Sequence, residues 1–172
     1  MESTTNASNQ YLSFTIAQEE YAIPVGLIRE VLTVPKITRI PQMPVYVPGV
    51  INLRGMVVPL IDLSLKLGIG ETKPTGETAI IVIETRVQAA DEPDAAQHIG
   101  LYVDAVRKVM TIGKESIGPA PTIGTSVKAA SILGIGNVDG GFIVILNIAD
   151  VITSDDLAAL EDASTAKEPK GA

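Results

Sequence analysis

The sequence predicts an all-β protein built from two small, closed or nearly closed barrels, with a helix at the end of the chain. The first observation is an internal repeat, because GVINLRGMVVPLIDL at 49–63 and GIGNVDGGFIVILNI at 134–148 share one spacing of glycine, asparagine and apolar residues. Upstream, the segment at 21–34 matches the segment at 99–112 in the same way. The second observation is that aromatic residues make up only 3% of the chain, so short runs of Val, Ile and Leu must fill the interior. These residues favour strands, and one strand-rich unit occurring twice predicts two barrels.

The first elements alternate apolar and polar residues, as half-buried strands do. YLSFTIA at 11–17 and YAIPV at 21–25 predict a hairpin with a polar turn between them. GLIREVL at 26–32 follows, and its apolar residues fit either a short helix or a bent strand. ITRIP at 37–41 predicts a further strand, and the prolines at 41–49 predict a turn-rich link.

The segment at 51–63 predicts a second hairpin, whose turn lies at Arg54 and Gly55. Pro59 cannot donate a backbone hydrogen bond, so its strand is expected to be an edge strand or to carry a bulge. The next residues predict one or two helical turns that end at Gly68.

The second copy begins with an apolar strand at 78–86, which we expect to be buried on both faces. An acidic hairpin loop at 87–97 leads to a strand that starts at His98. The connector at 113–131 is rich in glycine and proline and longer than its counterpart in the first copy, as is typical of a surface loop.

The segment at 148–162 predicts the clearest helix of the chain. Ser154 is a candidate N-cap followed by acidic residues, and Leu157 and Leu160 give the helix an apolar face.

Charge and composition argue against several classes of partner. A net charge of −7 and a pI near 4.7 disfavour non-specific binding to nucleic acid or anionic lipid. A small barrel that binds nucleic acid is the alternative interpretation, because the predicted shape fits such a protein. The acidic net charge argues against it. Cysteine is absent, which excludes disulfides and thiolate metal sites. The polar N-terminus and the short apolar runs indicate neither a secretory signal nor a membrane span, so we expect a cytoplasmic protein without direct membrane insertion.

Motifs for catalysis are missing from the sequence. His98 is the single histidine, which excludes a site of several histidines, and we expect it to be an exposed strand residue. No nucleotide-binding glycine motif or serine-nucleophile motif occurs. The Asp-Thr/Ser-Gly of a two-lobed aspartic protease is replaced by Asp-Leu-Ser at 62–64 and by Asp-Gly-Gly at 139–141. We predict a protein that presents surfaces, without enzymatic activity, catalytic residues, cofactor or metal.

Arg54 differs from its counterpart in the repeat. Alignment of the copies puts Asp139 at that position, so two related hairpins carry opposite charges. The fold therefore does not dictate the charge, and Arg54 becomes a candidate for contact with a partner. The alternative is that both segments are simply tight turns with a polar residue before glycine.

The chain resembles the CheW family of chemotaxis coupling proteins. The resemblance is carried, in order, by YLSFTIAQEEYAIPV, LIREVL, KITRIP, PGVINLRGMVVPLIDL, TAIIVIE, GLYVDAVRKVM and FIVILNI. The pattern N-L-R-G-x-x-x-P-x-x-D-L at 52–63 is its most diagnostic part. The resemblance implies two SH3-like five-stranded barrels that share a core. It also implies a noncatalytic adaptor that couples methyl-accepting chemoreceptors to the regulatory domain of the histidine kinase CheA at the inner face of the membrane.

Position by position, the resemblance implies that Arg54 binds receptor and that Asn52 and Gly55 shape the hairpin presenting it. Ile28 and Glu30 match positions associated with partner contact. It further implies one domain at 11–161. Its lobe one spans about 19–77, and lobe two spans about 78–150 and is completed by the strand at 11–17. The composition of residues 1–10 and 163–172, which is polar or small and charged, predicts flexible tails.

Overall fold

The computed structural model describes residues 9–87, 95–119, 131–153, 156 and 158–160. The predicted flexible tails lie outside this part of the chain, apart from residues 9 and 10, and Gln10 already begins the first strand. The tip of the predicted acidic loop also lies outside it, beyond the last strand pair, Val87 opposite Ala95.

Strands dominate the described residues, with short α-helices at Leu63–Lys66 and Ile148–Val151, helical residues again at 156 and 158–160, and 3-10 turns at Val25–Leu27 and Lys114–Ser116. The strands are β1 (Gln10–Ile16), β2 (Glu19–Pro24), β3 (Ile28–Thr33), β4 (Val50–Leu53), β5 (Met56–Asp62), β6 (Ala79–Val87), β7 (Ala95–Val103), β8 (Ala105–Thr111), β9 (Ile117–Gly118), β10 (Ile132–Val138) and β11 (Gly141–Leu146).

The strands form two sheets that share one internal order. One sheet has six strands in the order β8-β1-β2-β11-β10-β9, and the other has five in the order β3-β6-β7-β5-β4. Replacing each strand of the first sheet by its counterpart in the repeat gives the second sheet, with the bridge between Thr38 and Val50 in the place of the β9 pairing. Each copy therefore contributes its first hairpin to the sheet of the other copy. The prediction of an all-β fold with two related lobes is confirmed.

The membership of the lobes differs from the predicted boundaries. The prediction moves only the first strand into the other lobe, whereas the structure places the whole β1–β2 hairpin in the six-stranded sheet. In return, β6 and β7 lie in the five-stranded sheet with β3, β4 and β5. The exchanged hairpins are held by parallel pairings, β2 with β11 and β7 with β5, and the linear pattern does not encode such pairings between copies.

Buried apolar side chains form one cluster inside each lobe and a larger cluster between the lobes. Strand β6 divides its residues between two of them. Ile81 and Ile83 pack between the lobes, whereas Ile80 and Val82 pack inside the five-stranded lobe. All four are at most 1% exposed, which confirms the prediction of a strand buried on both faces. Burial of each such side chain contributes roughly 1.5–3 kcal/mol, so β6 is a main source of stability.

The ambiguous segment after β2 is a strand. The 3-10 turn Val25–Leu27 leads directly into β3, which pairs with β6, and the corresponding segment of the second copy forms β8. The helical spacing of its apolar residues comes from the turn at its start.

The strand predicted at 37–41 is reduced to one bridge. Thr38 exchanges two backbone hydrogen bonds of 2.8 Å with Val50, and no longer ladder forms among the described residues. Pro35 and Pro41 flank the segment, and because proline has no N–H the ladder cannot extend through them.

Pro59 marks neither an edge strand nor a bulge, contrary to the prediction. Strand β5 lies between β4 and β7, and Pro59 pairs in regular register with Val50. The N–H of Leu60 donates to the Gly49 carbonyl at 2.9 Å, so alternation turns the nitrogen of Pro59 away from β4. Pairing with β7 begins only at Leu60, and the missing N–H therefore costs no ladder bond.

The short helix Leu63–Lys66 follows β5 as predicted. The Asp62 carboxylate caps it by accepting from the N–H groups of Ser64 and Leu65, and Gly68 lies just past its end with φ +77°. The counterpart in the second copy is the helix Ile148–Val151.

The C-terminal helix predicted over 148–162 is interrupted. It stops at Val151 and is extended at Ile152, and helical conformation returns at Asp156 and at residues 158–160. Thr153 caps this second part: its Oγ1 accepts from the Asp156 N–H at 3.3 Å, and Asp156 Oδ2 accepts from the Thr153 N–H at 2.9 Å. This reciprocal pair is a capping box. Leu160 is fully buried as expected, whereas the predicted Ser154 cap and Leu157 lie outside the described residues.

Candidate functional site

The β4–β5 hairpin presents Arg54 from a tight two-residue turn. Arg54 and Gly55 both have positive φ, 54° and 83°, which is the backbone of a type I′ turn. The Asn52 side chain supports the turn, because its Oδ1 accepts from the Gly55 N–H at 2.9 Å. The structure therefore gives Asn52 and Gly55 the shaping role that was predicted for them.

The counterpart turn in the second copy has the same backbone. Asp139 and Gly140 have φ of 51° and 79°. Aspartate tolerates the left-handed region, whereas a long side chain such as that of Arg54 has no local hydrogen bond to offset the steric cost, roughly 1–2 kcal/mol. The same turn backbone therefore holds either a positive or a negative side chain, and the turn geometry does not require arginine at position 54.

Arg54 forms a bidentate ion pair with Glu30 of β3. Its Nη1 lies 2.5 Å from Glu30 Oε2, and its Nη2 lies 3.0 Å from Glu30 Oε1. Strands β3 and β4 are the two ends of the five-stranded sheet, so the pair links the edges of the lobe. The Arg54 side chain remains 72% exposed, and a forked guanidinium fixed by one carboxylate keeps other N–H groups free for a partner.

Hydrogen bonding sets the ionisation of the pair. The bonds from Arg54 hold the pKa of the Glu30 carboxyl below its ordinary value, and the same bonds raise the pKa of the guanidinium. Both groups therefore stay charged throughout the neutral range.

Ile28 does not join this group. The register of β3 against β6 shifts between Ile28, which faces Ile83, and Glu30, which faces Val82. Such a bulge turns the two residues to different faces of the sheet, and Ile28 packs against the cluster between the lobes. Of the five predicted site residues, the structure brings together Arg54, Glu30, Asn52 and Gly55.

Comparison with known families identifies one family that covers most of the chain. The model of the CheW-like domain matches residues 10–156. The chain belongs to the CheW family.

Relatives of similar length carry the CheW name. "Chemotaxis protein CheW" of Rhizobium meliloti is 30% identical over 155 residues, which cover 90% of this chain and 94% of that protein. "Chemotaxis protein CheW" of Helicobacter pylori is 34% identical over 146 residues, covering 85% of this chain and 82% of its own length. The crystal structure of the scaffolding protein TtCheW from Thermoanaerobacter tengcongensis has a TM-score of 0.72 at 31% identity, covering 87% of this chain and 90% of that chain.

This CheW-family chain also has an apolar groove whose lining residues were not identified from the sequence. The groove has a volume of about 620 Å³ and lies where the two lobes meet. Its apolar lining comes from both copies of the repeat: Pro24, Leu27, Leu133, Leu146, Ile148 and Ile152. Because these residues are distant in the sequence and are brought together by the exchanged hairpins, no local pattern could have identified them.

Exposed apolar side chains occur on both lobes. Phe142 and Val109 of the six-stranded lobe are 74% and 55% exposed, and Met56 and Val31 of the five-stranded lobe are 45% and 42% exposed. Val31 and Val109 are counterparts in the repeat and lie on β3 and β8, each at one end of its sheet. Each lobe thus offers an apolar surface beside a different set of charges.

Acidic and histidine side chains of the described residues are spread apart. Within these ranges no group of three or more His, Cys, Asp or Glu side chains is placed to hold a metal. Likewise, none of the helices seen there is long and apolar enough to cross a membrane. His98 is less exposed than predicted, at 24%, because it pairs across the sheet with Glu84 and lies 3.9 Å from its carboxylate.

Proposed function

We propose that the chain is a noncatalytic adaptor that couples transmembrane chemoreceptors to the histidine kinase CheA in chemotaxis. Membership of the CheW family supports the role, as do the relatives called chemotaxis proteins and the structural neighbour called a scaffolding protein. The observation that carries the proposal is the pair of equivalent turns with opposite charges, Arg54 and Asp139. One fold that displays two different exteriors suits a protein with two different partners.

Receptor docking is assigned to the surface around Arg54. The guanidinium is exposed, fixed in direction by Glu30 and raised on a tight turn that Asn52 and Gly55 hold in shape. Such a group can donate paired hydrogen bonds to carboxylate or carbonyl oxygens at the rim of a helical bundle. Ile28 contributes from the neighbouring inter-lobe side, where it lines a small hollow with Gly26.

Kinase docking is assigned to the exposed apolar ends of the lobes. Phe142 and Val109 are large apolar side chains that are 74% and 55% exposed, which suits contact with another protein. Separate receptor and kinase surfaces allow both partners to bind at once, and modest individual affinities gain strength through repeated contacts in an array. The adaptor is then cytoplasmic and is held at the inner face of the membrane by its receptors.

Cosedimentation with receptor-containing membranes tests the assignment of Arg54. Arg54→Ala is expected to fold normally and to weaken docking by roughly 1–3 kcal/mol, the value of a lost hydrogen bond to a charged group. Asp139→Ala is the matched control, because it truncates the equivalent turn of the other lobe and should leave receptor docking unchanged. Undiminished sedimentation of a folded Arg54→Ala protein would refute the assignment.

A further inference from the structure

Glu30 has two arginines within electrostatic reach. Arg54 binds it directly, and the charge of Arg29, the preceding residue, also lowers the pKa of its carboxyl. Arg29 is held elsewhere, however: its Nη1 lies 3.3 Å from Oε1 of Glu84 on β6. Glu84 therefore forms the ion pair that keeps Arg29 away from Glu30.

The bulge in β3 makes this competition possible. In a regular strand Arg29 and Glu30 point to opposite faces, whereas a bulge sets two residues against one residue of the partner strand. Here the shift lies between Ile28 and Glu30, so Arg29 is the inserted residue beside Glu30. Arg29 and Glu30 therefore lie side by side on β3, where the Arg54 guanidinium reaches Glu30 from the β4–β5 turn.

The second lobe keeps the bulge and changes the charges. The register of β8 against β1 shifts between Leu12 and Phe14, at the position equivalent to the shift in β3. In the same alignment Thr15 of β1 is the counterpart of Glu84 of β6. Arg107 corresponds to Arg29, but Lys108 stands in place of Glu30 and Asp139 in place of Arg54. The backbone irregularity thus belongs to the fold, and the linked charges of Arg54, Glu30, Arg29 and Glu84 belong to lobe one alone.

We propose that Glu84 is a positioning residue for Arg54: by holding Arg29, it leaves the Glu30 carboxylate to Arg54. Without the Glu84 charge, Arg29 turns to Glu30 and displaces Arg54 for part of the time. A guanidinium that has lost its fixed direction must be ordered again when a partner binds, and this weakens docking. The consequence for docking rests on the proposed function, whereas the competition for Glu30 does not.

The competition is measured in the full chain by ¹⁵N NMR of the Arg54 guanidinium, whose rotation the bidentate pair slows. Glu84→Gln is expected to speed this rotation roughly two- to fivefold, which is the change in an equilibrium constant that the free energy of one exposed ion pair produces. Arg29→Ala and the double variant Arg29→Ala/Glu84→Gln should both keep the slow rotation, because the competing arginine is gone. Glu77→Gln removes the same charge from an exposed loop position and should change nothing.

Two results overturn the proposal. One is an unchanged Arg54 signal in folded Glu84→Gln protein. The other is faster rotation that persists in the double variant, since Glu84 would then act without Arg29.

Cosedimentation with receptor membranes separates this proposal from the proposed adaptor function. If Arg54→Ala weakens docking while Glu84→Gln alters neither signal nor docking, the adaptor role stands and the positioning role fails. If Glu84→Gln speeds rotation without affecting docking, the positioning role stands and the receptor-binding role of Arg54 fails.

Discussion

Asp156, near the end of the described chain, forms an ion pair with Lys66 of the first short helix, with 2.9 Å between Oδ2 and Nζ. The Tyr46 hydroxyl also donates to the carboxylate of Asp156. The Lys66 ammonium lies over the Tyr46 ring, 4.8 Å from its centre. The carboxylate is only 5% exposed, so one buried group joins the C-terminal segment to the first copy of the repeat.

Asp156→Ala is expected to destabilise the protein by about 2–3 kcal/mol. The substitution removes the acceptor for Tyr46, Lys66 and Thr153, and hydrogen bonds to a charged group are worth more than neutral ones. Urea unfolding followed by circular dichroism measures the loss. Glu71→Ala, at an exposed loop position, is the control, and equal stability of the two variants would contradict a stabilising role of the Asp156 carboxylate.

The same carboxylate predicts a pH dependence of stability. Burial alone would raise the pKa of Asp156, but the bonds from Tyr46, Thr153 and Lys66 outweigh it and lower the pKa below the ordinary value of 3.8. A carboxyl with a lowered pKa stabilises the folded state above its unfolded pKa, and the stabilisation disappears as pH falls through the folded pKa. The stability difference between the unaltered chain and Asp156→Ala should therefore be constant from pH 7 to about 5 and shrink below about pH 4. A difference that grows on acidification would show the opposite sign.

Gly100 on β7 leaves no room for a side chain. A Cβ at this position would lie 2.5 Å from Leu60 Cδ2 and 2.8 Å from Ile80 Cγ2, both of which are fully buried. Gly100→Ala is expected to cost about 1–3 kcal/mol through overpacking. Gly26→Ala is the matched control, because nothing lies within 4 Å of the added carbon and the backbone φ is not positive. Equal urea midpoints for the two variants would refute this account of the β5–β7 contact.

Reversal of the ion pair separates fold from function. Glu30→Arg/Arg54→Glu restores opposite charges across the edges of the five-stranded lobe, as the second lobe does with Lys108 and Asp139 in the equivalent positions. We expect the double variant to keep the unfolding free energy within about 0.5 kcal/mol, as for most surface changes, and to lose receptor docking. Retained docking would mean that the charge of Arg54 is not what the receptor recognises.

Local features of the fold could be predicted from the sequence to different extents. The repeat and its hairpins could be predicted from the spacing of glycine, asparagine and apolar residues. The structure agrees, since the Arg54 and Asp139 turns have nearly the same φ values. The exchange of whole hairpins could not be predicted, since parallel pairing of β2 with β11 joins residues far apart in the chain. The Thr153 cap was not predicted, because it depends on the reciprocal hydrogen bonds with Asp156 and not on residue type alone.

The candidate site was predicted in the same uneven way. Arg54 stood out because the repeat supplies its own comparison, and the resemblance added Glu30. Their direct contact depends on the closure of the lobe between β3 and β4, which no local pattern describes. Ile28 was expected among the contact residues from the resemblance, and the bulge after it turns the side chain to the inter-lobe core.

The most direct test of the adaptor role is sedimentation of the CheA regulatory domain with receptor-containing membranes, with and without this chain. The kinase domain is expected to pellet only when the chain is present, and Arg54→Ala is expected to reduce the pelleted chain and the pelleted kinase domain together. Displacement of the chain from the membranes by added kinase domain would contradict it, because the two partners would then share one surface.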